Sequence, residues 1–164
     1  MSVHSPGVVE SSEILARFVF SPLHFHKKNG ELMPNVFSHV HNKGCSVQRD
    51  SIANHNELVG FIERLLLLKE EFSWKGLLLA ECQTIRVILT NKSTERAVCV
   101  YDTAENENPA HAEMCQTQYI EEDDEAELRH DQFVAFGNRV ITTPTQYRDG
   151  SILNGLPDQL KTRT

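Results

Sequence analysis

The sequence predicts an α+β fold: a mainly antiparallel sheet packed against one long helix and one or two shorter helices. Three observations carry that expectation. Segments rich in Phe, Val, Ile and Cys read as strands, and a polar turn joins two of them into a hairpin. A single leucine-rich stretch between them has helical spacing. The chain of 164 residues, 40% hydrophobic and 24% charged, is long enough for one core and ordinary for a globular protein.

Taken in order, Met1 to Ser12 mixes Ser, Pro, Gly and Val and reads as a flexible arm, residues 1–12. The single domain then spans 13–149. Ile14 to Phe20 opens it as a strand, interrupted by Pro22. Leu23 to Lys43 is loop-like, with Asn29-Gly30 as a turn and Pro34 as a breaker. Gly44 introduces a short strand, Cys45 to Gln48. Leu58, Phe61, Ile62, Leu65, Leu66 and Lys69 recur at helical spacing, so a helix is expected over Glu57–Phe72, capped by Asn54 or Asn56 and ended by Trp74 and Gly76. Leu77–Cys82 and Ile85–Thr90 are expected to be strand, and Ile85–Thr90 with Ala97–Tyr101 a hairpin around the turn 91–95. Asn108-Pro109 has the form of an N-cap followed by proline at the first helical position, which predicts a short helix from Pro109 to Gln116. The run Glu121–Glu127 carries six acidic residues in seven and leads into a second helix over Asp124–Phe136, closed by Gly137. The polar tail, 150–164, is expected to fray.

A formal net charge of −7 repels phosphate backbones, which disfavours nucleic acid as a partner without excluding a local basic patch at His24–Lys28. No apolar run approaches the length of a membrane span, and the amino end lacks a signal pattern. The four cysteines, Cys45, Cys82, Cys99 and Cys115, form no CxxC pair, so a disulfide scaffold is not expected and the cytoplasm is the expected compartment.

Four constellations carry chemical potential. His24-Phe25-His26 and His39-Val40-His41 are His-x-His pairs. On extended backbone each pair shares a face, so His24, His26, His39 and His41 together are a candidate site for a transition metal. In the segment Gly44–Ser51, Ser46, Arg49 and Asp50 are candidates, with Arg49 as a bidentate phosphate or carboxylate clamp. Within Asn108–Met114, His111 is a candidate acid or base. Arg49, His111 and Ser46 would together serve a phosphorylated substrate, such as a nucleotide or an RNA end. The acidic run Glu121–Glu125 lacks the ligand spacing and central glycine of a calcium loop, and reads as a solvated surface.

Two resemblances bear on these residues. His24-x-His26-x4-Glu31 resembles the first metal motif of the cupin family, over eight residues. The framing glycines and a second motif are missing, and the strands are too few for that barrel. Phe18-x-Phe20-Ser21, Pro34-x-x-Phe37, Cys45-Ser-Val-x-Arg49 and Pro109-Ala-His-Ala112 occur in this order, and together resemble a broad group of small bacterial proteins of no established activity. That resemblance covers Ala16–Ala112 and favours Ser46, Arg49 and His111 over the histidine pairs. It departs after His111, where Cys115-Gln-Thr stands in place of a Trp-Pro step. The functional expectation is a small bacterial accessory or protein-binding module, with a protein partner or homo-oligomer. The long helix, apolar on more than one face at Leu65–Leu68, supplies the motive. A phosphate-directed enzyme is the alternative, a metal-binding protein the third reading, and whether the chain is an enzyme stays open.

Overall fold

A computed structural model describes residues 3–40, 43–53, 55–89, 96–117 and 122–135. Its frame is a five-stranded sheet in which every pairing is antiparallel: β1 (Ile14–Ser21), β2 (Cys45–Arg49), β3 (Ser73–Glu81), β4 (Val98–Asp102) and β5 (His111–Gln116), in the order β3-β1-β2-β5-β4. The helices are α1 (His55–Leu68), α2 (Cys82–Arg86) and α3 (Glu122–Ala135), with a 3₁₀ helix at Pro34–Phe37. The α+β class therefore holds, but the expectation of one dominant helix does not, because α1 and α3 are each 14 residues long.

Side chains alternate across the sheet and sort its two faces. Leu15, Val19, Cys45, Val47, Leu78, Ala80, Val98, Val100, Ala112 and Met114 point to one face. There they pack under the 3₁₀ helix (Val36, Phe37), α2 (Cys82, Ile85), Leu128 of α3, and Val9 from the amino-terminal segment. Ala16, Phe18, Phe20, Trp74 and Leu77 form a second cluster on the other face with Ile62 of α1, joined by the half-buried Leu65, Leu66 and Phe72. The leucine-rich stretch thus coils over the β1–β3 half of the sheet. It cannot bury all its leucines at once: Leu67 and Leu68 are 79% and 77% exposed.

Three expected elements are different in the structure. The strand ending near Cys82 does not continue. Cys82–Arg86 is a helix that turns Cys82 and Ile85 into the core, while Thr84 Oγ1 donates to the Glu81 carbonyl at 2.7 Å. The expected hairpin of Ile85–Thr90 with Ala97–Tyr101 reduces, among the described residues, to one bridge between Leu89 and Arg96. The stretch expected to be helical after Pro109 is β5, in the interior of the sheet between β2 and β4. Local signals there favour helix, but two ladders of backbone hydrogen bonds and the burial of Ala112 and Met114 decide the outcome. The Asn29-Gly30 turn forms as expected, with Gly30 at φ 69°. Gly76, at φ 141°, lies beside the register shift between Val19 and Phe20, where its missing Cβ permits the bulge. Asn54, Phe136, Gly137 and the tail 150–164 lie outside the described residues.

Candidate functional site

Arg49 is the most heavily bonded side chain of those the sequence singles out. Its Nε and Nη2 donate to the Glu13 carboxylate, both at 2.7 Å; Nη1 donates to the Gly7 carbonyl at 2.7 Å and Nη2 to the Val8 carbonyl at 3.1 Å. The ion pair is buried, with side-chain exposures of 4% for Arg49 and 11% for Glu13. Burial pushes the Glu13 carboxyl up, but the Arg49 hydrogen bond, the Glu10 N–H and the charges of Arg49 and Arg86 outweigh it and hold the group below its ordinary value. This guanidinium is a structural anchor, with four of its five N–H groups engaged by protein acceptors.

His111 stands opposite Gln48 in the β2–β5 register, so its side chain shares a face with Gln48 and Ser46, whereas Arg49 projects from the opposite face beside Leu15. Its Nδ1 lies 3.2 Å from the Thr103 carbonyl and 2.8 Å from Thr103 Oγ1. Nδ1 donates to the Thr103 carbonyl in one tautomer and accepts from Thr103 Oγ1 in the other. Ser46 and His111 thus come together on one face, and Arg49 does not join them. The three-residue phosphate site expected from the sequence is corrected on both counts, because its clamp is engaged elsewhere and faces away.

The histidine pairs are also divided. His24 is buried, and its Nδ1 accepts from the Phe20 N–H at 3.0 Å, which leaves the proton on Nε2. Burial lowers its pKa to about 3, with the Arg17 and His39 charges adding to the effect, so the ring is neutral. His26 and His39 are exposed, and His41 lies outside the described residues. Among the described residues no three His, Cys, Asp or Glu side chains are placed to hold a metal ion.

What the histidine segment does build is a cavity of about 260 Å³ at the end of the sheet where β1 stops. Phe20, Leu23, Leu65, Leu66 and Phe72 form an apolar wall; Arg17, His24, Asn35, Ser38, His39 and Lys69 supply the polar side. The turn after cis Ser21-Pro22 carries Leu23 and His24, the 3₁₀ helix brings Asn35, and the second half of α1 brings Leu65 and Leu66. Arg17 is fixed by bonds to backbone only: Nε and Nη2 donate to the Val36 carbonyl at 3.0 and 2.9 Å, and Nη1 to the Ser46 carbonyl at 2.8 Å. Those three bonds use three of the five N–H groups a guanidinium carries. Asn35 Nδ2 donates to the Leu23 carbonyl at 2.9 Å, while its buried Oδ1 has no hydrogen-bond partner among the described residues. Among the described residues no carboxylate lines the cavity, although the whole chain carries a net charge of −7.

Sequence reasoning reached His24 and His39 but missed the rest of this site. A signal was present for one residue: Arg17 is a lone cation inside the apolar strand Leu15-Ala16-Arg17-Phe18-Val19. Comparison with protein-family models, curated proteins and solved structures gave no match to this chain.

Proposed function

We propose that the chain is a non-catalytic binding module of a cytoplasmic accessory protein, and that its cavity takes a small anion with an apolar body, such as a short-chain carboxylate. The observation that carries this reading is the cavity's composition. Three basic side chains and the His24 Nε2–H donor border an apolar wall with no acid among them, in a chain that is acidic overall. A cation would be repelled, and a purely apolar ligand would leave the remaining Arg17 N–H groups without an acceptor. The volume equals roughly nine water molecules at about 30 Å³ each, which suits a ligand of monocarboxylate size. Four unpaired thiols fit a reducing compartment.

A matched series tests the proposal: octanoate, 1-octanol and octylammonium share one tail and differ in charge. Titration calorimetry should find octanoate bound at least about tenfold more tightly than octanol, the equivalent of one modest charge interaction, and octylammonium weakest. Leu66→Trp, which fills the cavity, should abolish octanoate binding with the fold intact by circular dichroism. Equal affinity for the three compounds, or no binding of any, overturns the reading.

A second reading, docking of a partner protein or a second copy, is favoured by the exposure of Leu23 at the cavity and of Leu67 and Leu68 on α1. Light scattering on the purified chain tests it; a monomer that is unchanged by Leu67→Glu and Leu68→Glu counts against it.

A further inference from the structure

We propose that Cys99 and Cys115 form a reversible intramolecular disulfide, so that the outer strand pair is a two-electron redox site for a hydroperoxide. The inference is independent of the cavity. Cys99 and Cys115 are direct partners in the β4–β5 register and lie on one face of the sheet, both half-buried. The ladder bonds from Thr117 N–H to the Ala97 carbonyl, 3.0 Å, and from Thr103 N–H to the His111 carbonyl, 3.3 Å, put the odd-numbered positions of β4 in hydrogen-bonded pairs. Directly opposed residues of that kind have Cα atoms about 5.5 Å apart. Disulfides span Cα separations of about 4.4–6.8 Å, so the Cα spacing falls within that range.

The other two thiols are placed differently. Cys82 is buried at the start of α2. Cys45, the register partner of Met114, is buried on the opposite face of the sheet.

The same geometry makes the bond labile. Cβ atoms of opposed residues stand roughly 5 Å apart at hydrogen-bonded positions, against about 3.8 Å in a relaxed disulfide. Closing the gap draws β4 inward. Among the described residues that strand lies at the edge of the sheet, paired with β5 alone, so a shift strains one ladder and the packing of Val98 and Val100, and that strain favours reduction. The resting state is the dithiol. Burial raises the Cys115 thiol pKa, and the Glu113 carboxylate and the thiols of Cys45 and Cys99 push it the same way, so little thiolate is present at neutral pH. The site therefore responds to a sustained oxidant load.

The chemistry balances without a cofactor. One sulfur attacks a peroxide oxygen, the O–O bond breaks, and the departing hydroxide takes the thiol proton as water, leaving a sulfenic acid. The second sulfur attacks the first, the S–S bond forms, the S–O bond breaks, and the hydroxyl leaves as a second water with the second thiol proton. Two thiols lose two electrons and hydrogen peroxide becomes two waters.

The test treats the reduced full chain with hydrogen peroxide under native conditions, blocks free thiols with N-ethylmaleimide, and maps peptides without reduction. A glutamate-specific protease cuts after Glu105, Glu107 and Glu113 and so separates the two cysteines. The expected result is a Cys99–Cys115 cross-linked peptide, reversed by dithiothreitol, with Cys45 and Cys82 recovered as thiols after unfolding. The thermal midpoint should rise on oxidation in the native chain and stay unchanged on oxidation in Cys99→Ser and Cys115→Ser. Disulfide-linked dimers, a bond to Cys45, or sulfinic acids at both positions overturn the proposal. If either serine variant fails to fold, the peptide map of the native chain alone decides.

Discussion

At the scale of single residues, a buried arginine and a half-buried one have opposite roles. Arg49 is matched by a carboxylate and two carbonyls, whereas Arg17 is held by carbonyls and borders the cavity with N–H groups to spare. Removing Arg49 leaves the Glu13 carboxylate buried without its partner, and such losses cost about 3–5 kcal/mol. Arg49→Met should therefore unfold the chain at markedly lower urea, whereas Glu13→Gln with Arg49→Met together should recover part of the loss. A half-buried and a buried titratable group set opposing pH trends. Burial pushes the Asp50 carboxyl up to about 6 from an ordinary 3.8, so the folded chain holds a proton the unfolded chain releases, and stability falls as pH rises from about 4 to 6. His24, held near 3 against an ordinary 6.5, works the other way: the unfolded chain binds a proton the folded ring refuses, and stability falls as pH drops through that window. Asp50→Asn should gain on the order of 1 kcal/mol at pH 7 and nothing at pH 3.5, with partial exposure limiting the gain. His24→Asn, which keeps an acceptor for the Phe20 N–H, should flatten the acid limb. Urea midpoints at pH 3.5, 5 and 7 separate the two effects.

At the scale of elements, stretches whose local pattern agrees with their tertiary setting were legible, the five-residue β2 included, and those where the two conflict were not. β1, β2, α1 and α3 fall close to where alternation and helical spacing place them. α1 succeeds because Ile62, Leu65 and Leu66 recur on one side and meet Phe18, Phe20 and Trp74. Ile62→Ala should cost about 2–4 kcal/mol, whereas Leu67→Gln and Leu68→Gln, on the exposed side, should stay within about 0.5 kcal/mol by chemical denaturation. β5 was not legible because the Asn108-Pro109 start, Ala110 and Glu113 suit a helix while the competing force, pairing with β2 and β4, comes in part from residues more than sixty positions away. α2 was missed for the opposite reason: an apolar run continues past Glu81, and nothing in five residues distinguishes a helical turn from more strand. Gly44 is a different case. Its φ of 81° favours glycine whatever the space around it, so its role as the entry to β2 was readable from its residue type alone.

At the scale of the whole molecule, the cavity gathers residues from β1, the following turn, the 3₁₀ helix and α1, a span from Arg17 to Phe72 with no fixed spacing. A motif search recognises chemistry concentrated in one segment, which is why the His-x-His pairs drew notice and the cavity did not. Folding disperses those pairs, burying His24 and leaving His26 in solvent. The acidic surface and the basic cavity are likewise one charge distribution, summed in composition and separated only in three dimensions. The anchoring of Gly7, Val8 and Val9 has a practical consequence for anyone handling this protein. Residues that resemble a disposable leader act as a latch: their carbonyls hold Arg49 and Arg86, and Val9 seats in the larger core. Affinity tags belong ahead of residue 3, and trimming the amino end to Ser12 to obtain a tidier crystallisation fragment should yield a chain that precipitates rather than one that crystallises.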